Sequence, residues 1–216
     1  LCDWSSDVCS SVLALPPLLP SCLMDIPADK FALRRTLRRA RQQLGRDERR
    51  RATRRIQRHL FRHIKRGARI GVYWSIGSEL RLDDFIQTAL QRGARVYLPY
   101  IEPGRLRLWF TPYCADAAQA ERAHGRLKIP QFHGEKIRAH RLNTLLLPLV
   151  GIDSEGYRLG QGGGYYDASL AATRHRLQPH KIGVGFACQR HNGRLPREAH
   201  DMRLDGFVCE HGWRRF

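Results

Sequence analysis

A glycine-rich loop that follows an apolar run constrains this chain more than any other feature. Residues 145–170 read LLLPLVGIDSEGYRLGQGGGYYDASL: the apolar run ends at Pro148, a turn-rich linker follows, and four of the five residues 160–164 are glycine. The residues after the loop have the apolar spacing of a helix. Strand, glycine loop and helix in this order suit phosphate binding, because N–H groups unhindered by a Cβ converge on an anion and a helix N-terminus adds partial positive charge. We interpret the segment as a nucleotide-phosphate site.

Two charged residues strengthen this interpretation. Arg158 precedes the loop and offers a guanidinium fork for phosphate oxygens, and Asp167 follows it and offers a hard oxygen ligand for Mg²⁺. The loop is not a Walker motif, since no Gly-Lys-Ser/Thr sequence follows it, and its Gly-x-Gly-Gly-Gly spacing is a poor dinucleotide fingerprint. A glycine loop alone is more often an ordinary tight turn, so the prediction depends on the whole string of residues 158–167.

Short apolar segments alternate with helical patterns along the chain. Asp29 is a suitable N-cap for a first helix, and a second helix runs from about Asp47 until Gly67 ends it. Further helices are predicted at residues 82–91 and 165–175, and strands at residues 70–74, 95–98, 106–110, 145–149, 182–186 and 207–209. We therefore predict an α/β fold, a three-layer sandwich with a mostly parallel, Rossmann-like sheet and two N-terminal helices. Ligands bind at the carboxyl ends of such strands, so the loops after Trp74, Leu149 and Phe186 are candidate site loops.

The charge is large and unevenly distributed. The chain has 216 residues, which fits one domain, and a formal net charge of +18. Residues 30–66 hold 16 Lys and Arg against two acids, which gives this stretch +14. Such a stretch would suit nucleic acid, but aromatic residues scarcely interleave there, so no stacking platform is predicted. We interpret it as a solvated helical face that attracts anionic substrates, and we expect no dedicated nucleic-acid partner.

The scattered cysteines and the lack of a long apolar run predict a cytoplasmic protein. Six cysteines are scattered without a Cys-x-x-Cys pair or a His/Cys spacing typical of zinc, as in a reducing compartment. No run of 18 or more apolar residues exists, so no membrane span is predicted.

The first 23 residues differ from the rest. They lack a Met, and their apolar part is broken by Pro16, Pro17 and Pro20 and lacks the basic start of a signal peptide. We expect residues 1–23 to be a non-native or disordered extension and residues 24–216 to form a single domain, which we expect to be a monomer.

The glycine loop is part of a longer pattern that resembles a known family. Residues 156–167, GYRLGQGGGYYD, are similar to the signature of 5-formyltetrahydrofolate cyclo-ligases, also called methenyltetrahydrofolate synthetases. Further pieces follow in the family's order over roughly residues 26–210: Lys30 with Arg34, Ser75 to Glu79, Ile129-Pro130-Gln131, Leu195-Pro196 and Asp201. Phe132 departs from the pattern, which often has Pro at this point.

The resemblance implies a ligase that depends on ATP and Mg²⁺. Its reaction cyclises 5-formyltetrahydrofolate to 5,10-methenyltetrahydrofolate and releases ADP and phosphate. The substrate supplies both nucleophiles, so the protein needs no catalytic Ser, Cys or His and contributes positioning and charge neutralisation. The implied partners are ATP and a reduced folate, with or without a polyglutamate tail.

The resemblance also assigns residues to each ligand. The implied ATP-binding residues are Lys30, Arg34, Arg158, Leu159, Gly160, Gln161, Gly162, Gly163, Gly164, Tyr165 and Tyr166. The implied substrate-binding residues are Trp74, Glu79, Gln161, Gly162, Gly163, Gly164 and Tyr165, with Glu79 accepting hydrogen bonds from the pterin. Asp167 and Asp201 are the implied Mg²⁺ ligands. Relatives vary at the position of Gln161, so its side chain is given no role.

The residues alone leave alternatives open. Glu79 suits the start of a helix equally well, Asp201 reads as a surface acid, and aromatic residues that open a helix, such as Tyr165 and Tyr166, are commonly core. Two other functions also remain: an ATP- or sugar-phosphate-binding α/β enzyme with another substrate, and an Arg-rich RNA-associated protein in which the glycine loop is vestigial.

Overall fold

The computed structural model describes residues 29–114, 129–132 and 134–216, and the predicted extension of residues 1–23 lies outside them. The described α-helices are α1 (Lys30–Gln43), α2 (Arg46–Leu60), α3 (Asp83–Gln91) and α4 (Tyr165–Ala171). Short 3₁₀ turns occur at Phe61–His63, Ala139–Arg141 and Ala187–Gln189. The described strands are β1 (Arg69–Gly71), β2 (Arg95–Tyr100), β3 (Trp109–Pro112), β4 (Thr144–Pro148), β5 (Gly151–Ile152), β6 (Arg158–Leu159), β7 (His180–Val184), β8 (Gly206–Cys209) and β9 (Gly212–Arg215).

Seven of these strands form one sheet in the order β3-β2-β1-β4-β7-β8-β9. The five inner strands run parallel, and β3 and β9 pair antiparallel at the two edges. Strands β5 and β6 form a separate antiparallel hairpin between β4 and the glycine loop. The predicted α/β fold with a mostly parallel sheet is confirmed.

Alternating side chains of the inner strands build two cores, one on each face of the sheet. Leu146 of β4 packs in the cluster that contains Ile56 of α2 and Phe85 of α3. Its neighbours Leu145 and Leu147 point to the opposite face, in the cluster that contains Leu170 of α4 and Phe207 of β8. Burial on both faces explains why β4 is a continuous apolar run in the sequence.

Helix α1 packs on the carboxyl-end loops of the sheet. It begins at the predicted N-cap, where the Asp29 carboxylate accepts a hydrogen bond from the Phe31 N–H at 2.8 Å. Leu37 is its buried apolar anchor and packs with Val150, Leu159 and Leu195. Gly151 permits this approach, since a Cβ there would lie 2.4 Å from the Leu37 side chain.

Several element boundaries differ from the prediction. Strand β1 ends at Gly71 rather than residue 74, α4 ends at Ala171 rather than near residue 175, and β3 starts three residues later than expected. Pro99 does not close β2 but lies within it, opposite Phe110 of β3. The ladder with β1 ends at Tyr97, so no partner on that side needs the missing N–H of Pro99. Strand β9 and the β5–β6 hairpin were not predicted.

No helix in residues 29–114, 129–132 and 134–216 is long and apolar enough to cross a bilayer.

Candidate active site

A cavity of about 430 Å³ opens at the carboxyl ends of β1, β2 and β4, where parallel sheets bind ligands. Its lining includes the predicted glycine loop with the start of α4, and the loop after β1, which carries Trp74 and Glu79. Apolar side chains that sequence reasoning missed complete the lining: Tyr73, Ile76, Pro99, Ile101, Leu108, Ile129 and Pro148. They come from distant parts of the chain, and their apolar character alone did not distinguish them from core.

Most of the predicted site residues meet at this cavity. Trp74, Glu79, Arg158 and residues 160–167 line it. Leu159 does not, because its side chain packs under α1 with Leu37. Lys30, Arg34 and Asp201 are also absent from the lining. Arg34 contacts the glycine loop at the Gly160 carbonyl oxygen, and Lys30 faces Asp201. The loop after Phe186 contributes nothing to the lining, since the Gln189 side chain bonds back to the carbonyl oxygens of Leu149 and Val150 at 2.7 and 3.1 Å.

The glycine loop has a backbone that other residues rarely adopt. Gly162 and Gly164 have φ values of +101° and +69°, in the left-handed region. At Gly163 the restriction is space, because a Cβ would lie 3.1 Å from the Tyr165 ring. The sequence therefore uses glycine here for conformation as well as for access to the backbone.

Three cations of α1, one per turn, face the glycine loop and the late acidic loop. Arg34 Nε donates to the Gly160 carbonyl oxygen at 2.9 Å, and Arg38 donates to the side-chain oxygen of Gln161 at 2.6 Å. Lys30 Nζ lies 2.6 Å from a carboxylate oxygen of Glu198 and 3.4 Å from one of Asp201. The predicted shared face of Lys30 and Arg34 is thus present. Arg38 was missed, although it continues the same spacing of four.

Arg158 and Asp167 form an ion pair beneath the loop. Arg158 Nη2 lies 2.5 Å from Asp167 Oδ1, and the Arg158 side chain is 4% exposed. Among the described residues Arg158 Nε is buried without a hydrogen-bond partner. The guanidinium lies 5.8 Å from the centre of the Tyr166 ring, and burial raises the pKa of Tyr166, so its hydroxyl stays protonated at neutral pH.

Glu79 is 7% exposed, and both of its carboxylate oxygens accept hydrogen bonds. The Ile76 N–H donates to Oε2 at 3.0 Å, and the Gln161 side-chain amide donates to Oε1 at 2.8 Å. The carboxylate is therefore held at the cavity wall from its own loop and from the glycine loop.

Two arginines of the basic stretch hold the loop that carries Glu79. Arg41 Nε donates to Ser78 Oγ at 3.0 Å, and Arg49 Nη1 donates to the Ser78 carbonyl oxygen at 2.8 Å. Arg41 is 4% exposed, and burial lowers its pKa. The interpretation of the basic stretch as a solvated face is wrong for Arg41, which is buried, and Arg49 is partly buried in its bond to Ser78.

Asp201 lies in a loop organised by Asp153, a buried acid that sequence reasoning missed. The Asp153 carboxylate accepts from the Tyr157 N–H at 2.9 Å and from Arg197 at 3.0 Å, which ties the β5–β6 hairpin to the late loop. Asp201 Oδ2 accepts from the Glu198 N–H at 2.7 Å and faces Lys30. In the part of the chain that the structure describes, no three His, Cys, Asp or Glu side chains are grouped to hold a metal ion.

The 5-formyltetrahydrofolate cyclo-ligase family model matches residues 26–210, which include every part of this cavity. The chain belongs to this family. It is similar to the 5-formyltetrahydrofolate cyclo-ligase of Escherichia coli K12, with 35% identity over 147 residues that cover 64% of this chain and 76% of the relative. The cyclo-ligase of Haemophilus influenzae is 29% identical over 143 residues, covering 65% and 74%.

Solved structures of the family share the fold. The 5,10-methenyltetrahydrofolate synthetase of Aquifex aeolicus has a TM-score of 0.71 and 28% identity, covering 86% of this chain and 92% of that one. The synthetase of Mycoplasma pneumoniae has a TM-score of 0.66 and 23% identity, covering 84% and 99%. The predicted family is confirmed, and neither alternative function gains support from these comparisons.

Proposed function

We propose that the cavity is where ATP and 5-formyltetrahydrofolate meet, and that the chain converts them to 5,10-methenyltetrahydrofolate, ADP and phosphate. Members of this family are ATP-dependent ligases that catalyse this conversion. One observation carries the proposal for this chain: the glycine loop and the loop with Trp74 and Glu79 line the same cavity. A phosphate donor on the first loop and a pterin on the second would therefore be adjacent.

In this reaction the protein positions the two substrates and does not supply a nucleophile. The formyl oxygen of the substrate attacks the γ-phosphate and ADP leaves, which turns a poor electrophile into an iminium phosphate. N10 of the folate then attacks the activated carbon and loses its proton, the C–O bond breaks, and phosphate departs with that proton as the ring closes. Charge spreads over the phosphate oxygens during the first step, so nearby cations and backbone N–H groups stabilise its transition state.

On the ATP side we assign Lys30, Arg34 and residues 158–166, of which Gln161 contributes its backbone and not its side chain. Arg34 already holds the loop at Gly160, and Gly160, Gly162, Gly163 and Gly164 line the cavity. The Nε of Arg158 is buried and has no hydrogen-bond partner in the described part of the chain, which supports a role for this guanidinium in binding an acceptor such as a phosphate oxygen. Leu159 contributes through its backbone, since its side chain is core.

On the folate side we assign Trp74, Glu79 and residues 161–165. Glu79 presents a fixed acceptor to the cavity, and pterin amino and ring N–H groups are donors that suit a carboxylate. Trp74 is 36% exposed and offers an aromatic face beside it. The apolar remainder of the lining suits a flat, largely uncharged ring system.

For Mg²⁺ we assign Asp167 and Asp201. The donor set fits, because Mg²⁺ takes oxygen ligands and usually binds through one or two carboxylates together with substrate phosphates. Each carboxylate is partly exposed and each faces a cation, Arg158 or Lys30, that is also assigned to ATP. When bound with ATP, Mg²⁺ would neutralise phosphate charge at this edge of the cavity.

We further propose that the enzyme works as a cytoplasmic monomer without a dedicated nucleic-acid partner. Cys114, Cys188 and Cys209 are free thiols, which supports a reducing compartment.

The test is direct. Purified protein, ATP and Mg²⁺ are mixed with 5-formyltetrahydrofolate, and the absorbance of the methenyl product is followed with time. We expect product formation that requires both ATP and Mg²⁺. An absence of product from folded protein would refute the proposed reaction.

A further inference from the structure

A chain of hydrogen bonds crosses the cavity wall from α1 to Glu79. Arg38 Nη2 donates to Gln161 Oε1 at 2.6 Å, and Gln161 Nε2 donates to Glu79 Oε1 at 2.8 Å. Glu79 Oε2 accepts from the Ile76 N–H at 3.0 Å. We call Arg38, Gln161 and Glu79 the Arg–Gln–Glu relay. It connects helix α1, the glycine loop and the loop after β1, which are far apart in sequence.

The direction of the relay is set by the chemistry of its two ends. A guanidinium only donates hydrogen bonds, and a carboxylate only accepts them. The Gln161 amide therefore has one orientation that satisfies both neighbours, with its oxygen on Arg38 and its nitrogen on Glu79. A residue without both a donor and an acceptor cannot replace it.

The relay leaves Glu79 able to receive a ligand. Each carboxylate oxygen has two lone-pair positions, so each can accept a second hydrogen bond after those from Gln161 and Ile76. The hydrogen bonds from Gln161 and Ile76 limit the rotation of the carboxylate. An acceptor whose orientation is fixed binds a planar pair of donors at a lower entropy cost.

We propose that Gln161 is a positioning residue, which orients the Glu79 carboxylate for the pterin and is itself held by Arg38. The inference rests on the proposed function, in which Glu79 accepts hydrogen bonds from 5-formyltetrahydrofolate. Its consequence is that folate affinity depends on two side chains that lie on the ATP side of the cavity wall. Arg38 acts through Gln161 and not on ATP.

The experiment compares Gln161→Met and Arg38→Gln with matched controls on exposed helix positions, Gln87→Met and Arg39→Gln. For each protein the KM values of folate and ATP are measured, and the Kd of 5-formyltetrahydrofolate is measured calorimetrically without ATP. We expect Gln161→Met to raise the folate KM and Kd about tenfold, as for the loss of one hydrogen bond to a charged group, with the ATP KM within about twofold of wild type. The controls should match wild type.

Two further variants separate positioning from general damage. Gln161→Glu keeps the bond to Arg38 but faces Glu79 with a like charge, so folate affinity should fall further, by about a hundredfold. Arg38→Lys retains a long, positively charged donor and should restore part of the folate affinity that the shorter, neutral side chain of Arg38→Gln loses. A double variant of Arg38→Gln and Gln161→Met should bind folate no more weakly than Gln161→Met alone, because both changes break one relay.

Unchanged folate affinity in a folded Gln161→Met variant would overturn the proposal. So would an Arg38→Gln variant whose ATP KM rises while its folate Kd stays constant, since Arg38 would then contact ATP directly. Failure of the proposed function has a different signature: the wild-type protein would form no methenyl product, whatever the variants bind.

Discussion

Gly164 ends the glycine loop in a left-handed conformation, with φ +69° and open space where a Cβ would stand. Gly67, far from the cavity, has nearly the same backbone, with φ +75° and equally open surroundings. An alanine at either position costs roughly 1–2 kcal/mol of backbone strain. Only at Gly164, which lines the cavity, would the new methyl group also occupy ligand space.

We therefore expect Gly164→Ala and Gly67→Ala to lower the free energy of unfolding by similar amounts in urea titrations. Gly164→Ala should in addition lower kcat/KM for ATP at least tenfold, whereas Gly67→Ala should retain wild-type kinetics. Equal kinetics in the two variants would mean that the loop backbone does not contact the nucleotide.

Asp167 is the residue whose charge the proposed metal site needs. Asp167→Asn keeps the size of the side chain and an oxygen for Arg158 but removes the negative charge. We expect turnover to be lost, with a fall of more than about a hundredfold, while the far-UV circular dichroism stays native. Asp205→Asn is the matched control, since Asp205 also pairs with a cation, Lys181 at 3.4 Å, outside the cavity lining. A near-normal rate for Asp167→Asn would remove Asp167 from the metal site.

For single residues, the sequence predicted those site residues that stand together in one local motif. Arg158, Gly162 and Asp167 stand within one short string, and its composition indicated their role. Asp153 could not be found in the same way, because its charged partner Arg197 lies 44 residues away, and the spacing of Arg38 gave no indication of its bond to Gln161, 123 residues away. Only the fold brings such partners together.

Among the elements, α1 connects the ATP side of the site to the rest of the fold. Its cations face the glycine loop, yet its one buried aliphatic residue is Leu37, which is 8% exposed. The position of Lys30, Arg34 and Arg38 therefore depends on a small apolar contact with Val150, Leu159 and Leu195.

We expect Leu37→Ala to lower the free energy of unfolding by about 2–4 kcal/mol and to raise the KM for ATP several-fold, because α1 would lose its fixed position on the loop. Leu60→Ala in α2 is the control: Leu60 is fully buried but away from the glycine loop, so stability should fall as much while the ATP KM stays constant. Urea titrations and initial rates measure both effects. An ATP KM that rises equally in the two variants would contradict this role of α1.

The elements that the sequence predicted well are those with strong burial or a clear cap. Strand β4 is buried on both faces and reads as an apolar run, and α1 begins directly after its N-cap, Asp29. Strand β9 contains Trp213 beside two exposed arginines, and β5 and β6 are two residues each, so neither has a hydrophobic period that a sequence can show. Tertiary pairing alone makes them strands.

In the whole molecule, three aromatic rings form a cluster at the amino ends of the strands, far from the cavity: His63, His180 and Trp213. His63 lies 4.8 Å from Trp213 and 6.0 Å from His180, measured between ring centres. Burial, together with the nearby His180 and Arg62, lowers the pKa of His63 from 6.5 to about 4. Among the described residues, its Nε2 is buried without a hydrogen-bond partner.

This cluster predicts a pH-dependent stability. Between pH 6.5 and 4 the unfolded chain binds a proton at His63 that the folded protein does not, so the free energy of unfolding falls as the pH drops through this range. The loss should be roughly 1–2 kcal/mol, because the ring is only partly buried and water screens part of the cost. His63→Phe keeps an aromatic ring and removes the proton site, so it should flatten this slope in urea titrations at pH 7 and 4.5.

His175→Phe is the control, since His175 is exposed, and it should leave the slope unchanged. Arg197 and Lys30 lower the pKa values of Glu155 and Glu198, so those acids contribute mainly below this range. A wild-type slope in His63→Phe would show that other groups cause the acid sensitivity.

Trp74 and Trp213 lie at opposite ends of the sheet, one beside the cavity and the other against His63 and His180. The chain has four tryptophans, and replacing Trp4 and Trp109 with Phe would leave these two as its tryptophan fluorophores, each with separate surroundings. Nucleotide or folate analogues should alter the emission of the first and leave the second unaffected, while mild acid should do the reverse. A simultaneous change in the emission of both tryptophans would indicate unfolding. Ligand binding in the cavity, protonation of the ring cluster and unfolding can therefore be distinguished in one fluorescence experiment without an added label.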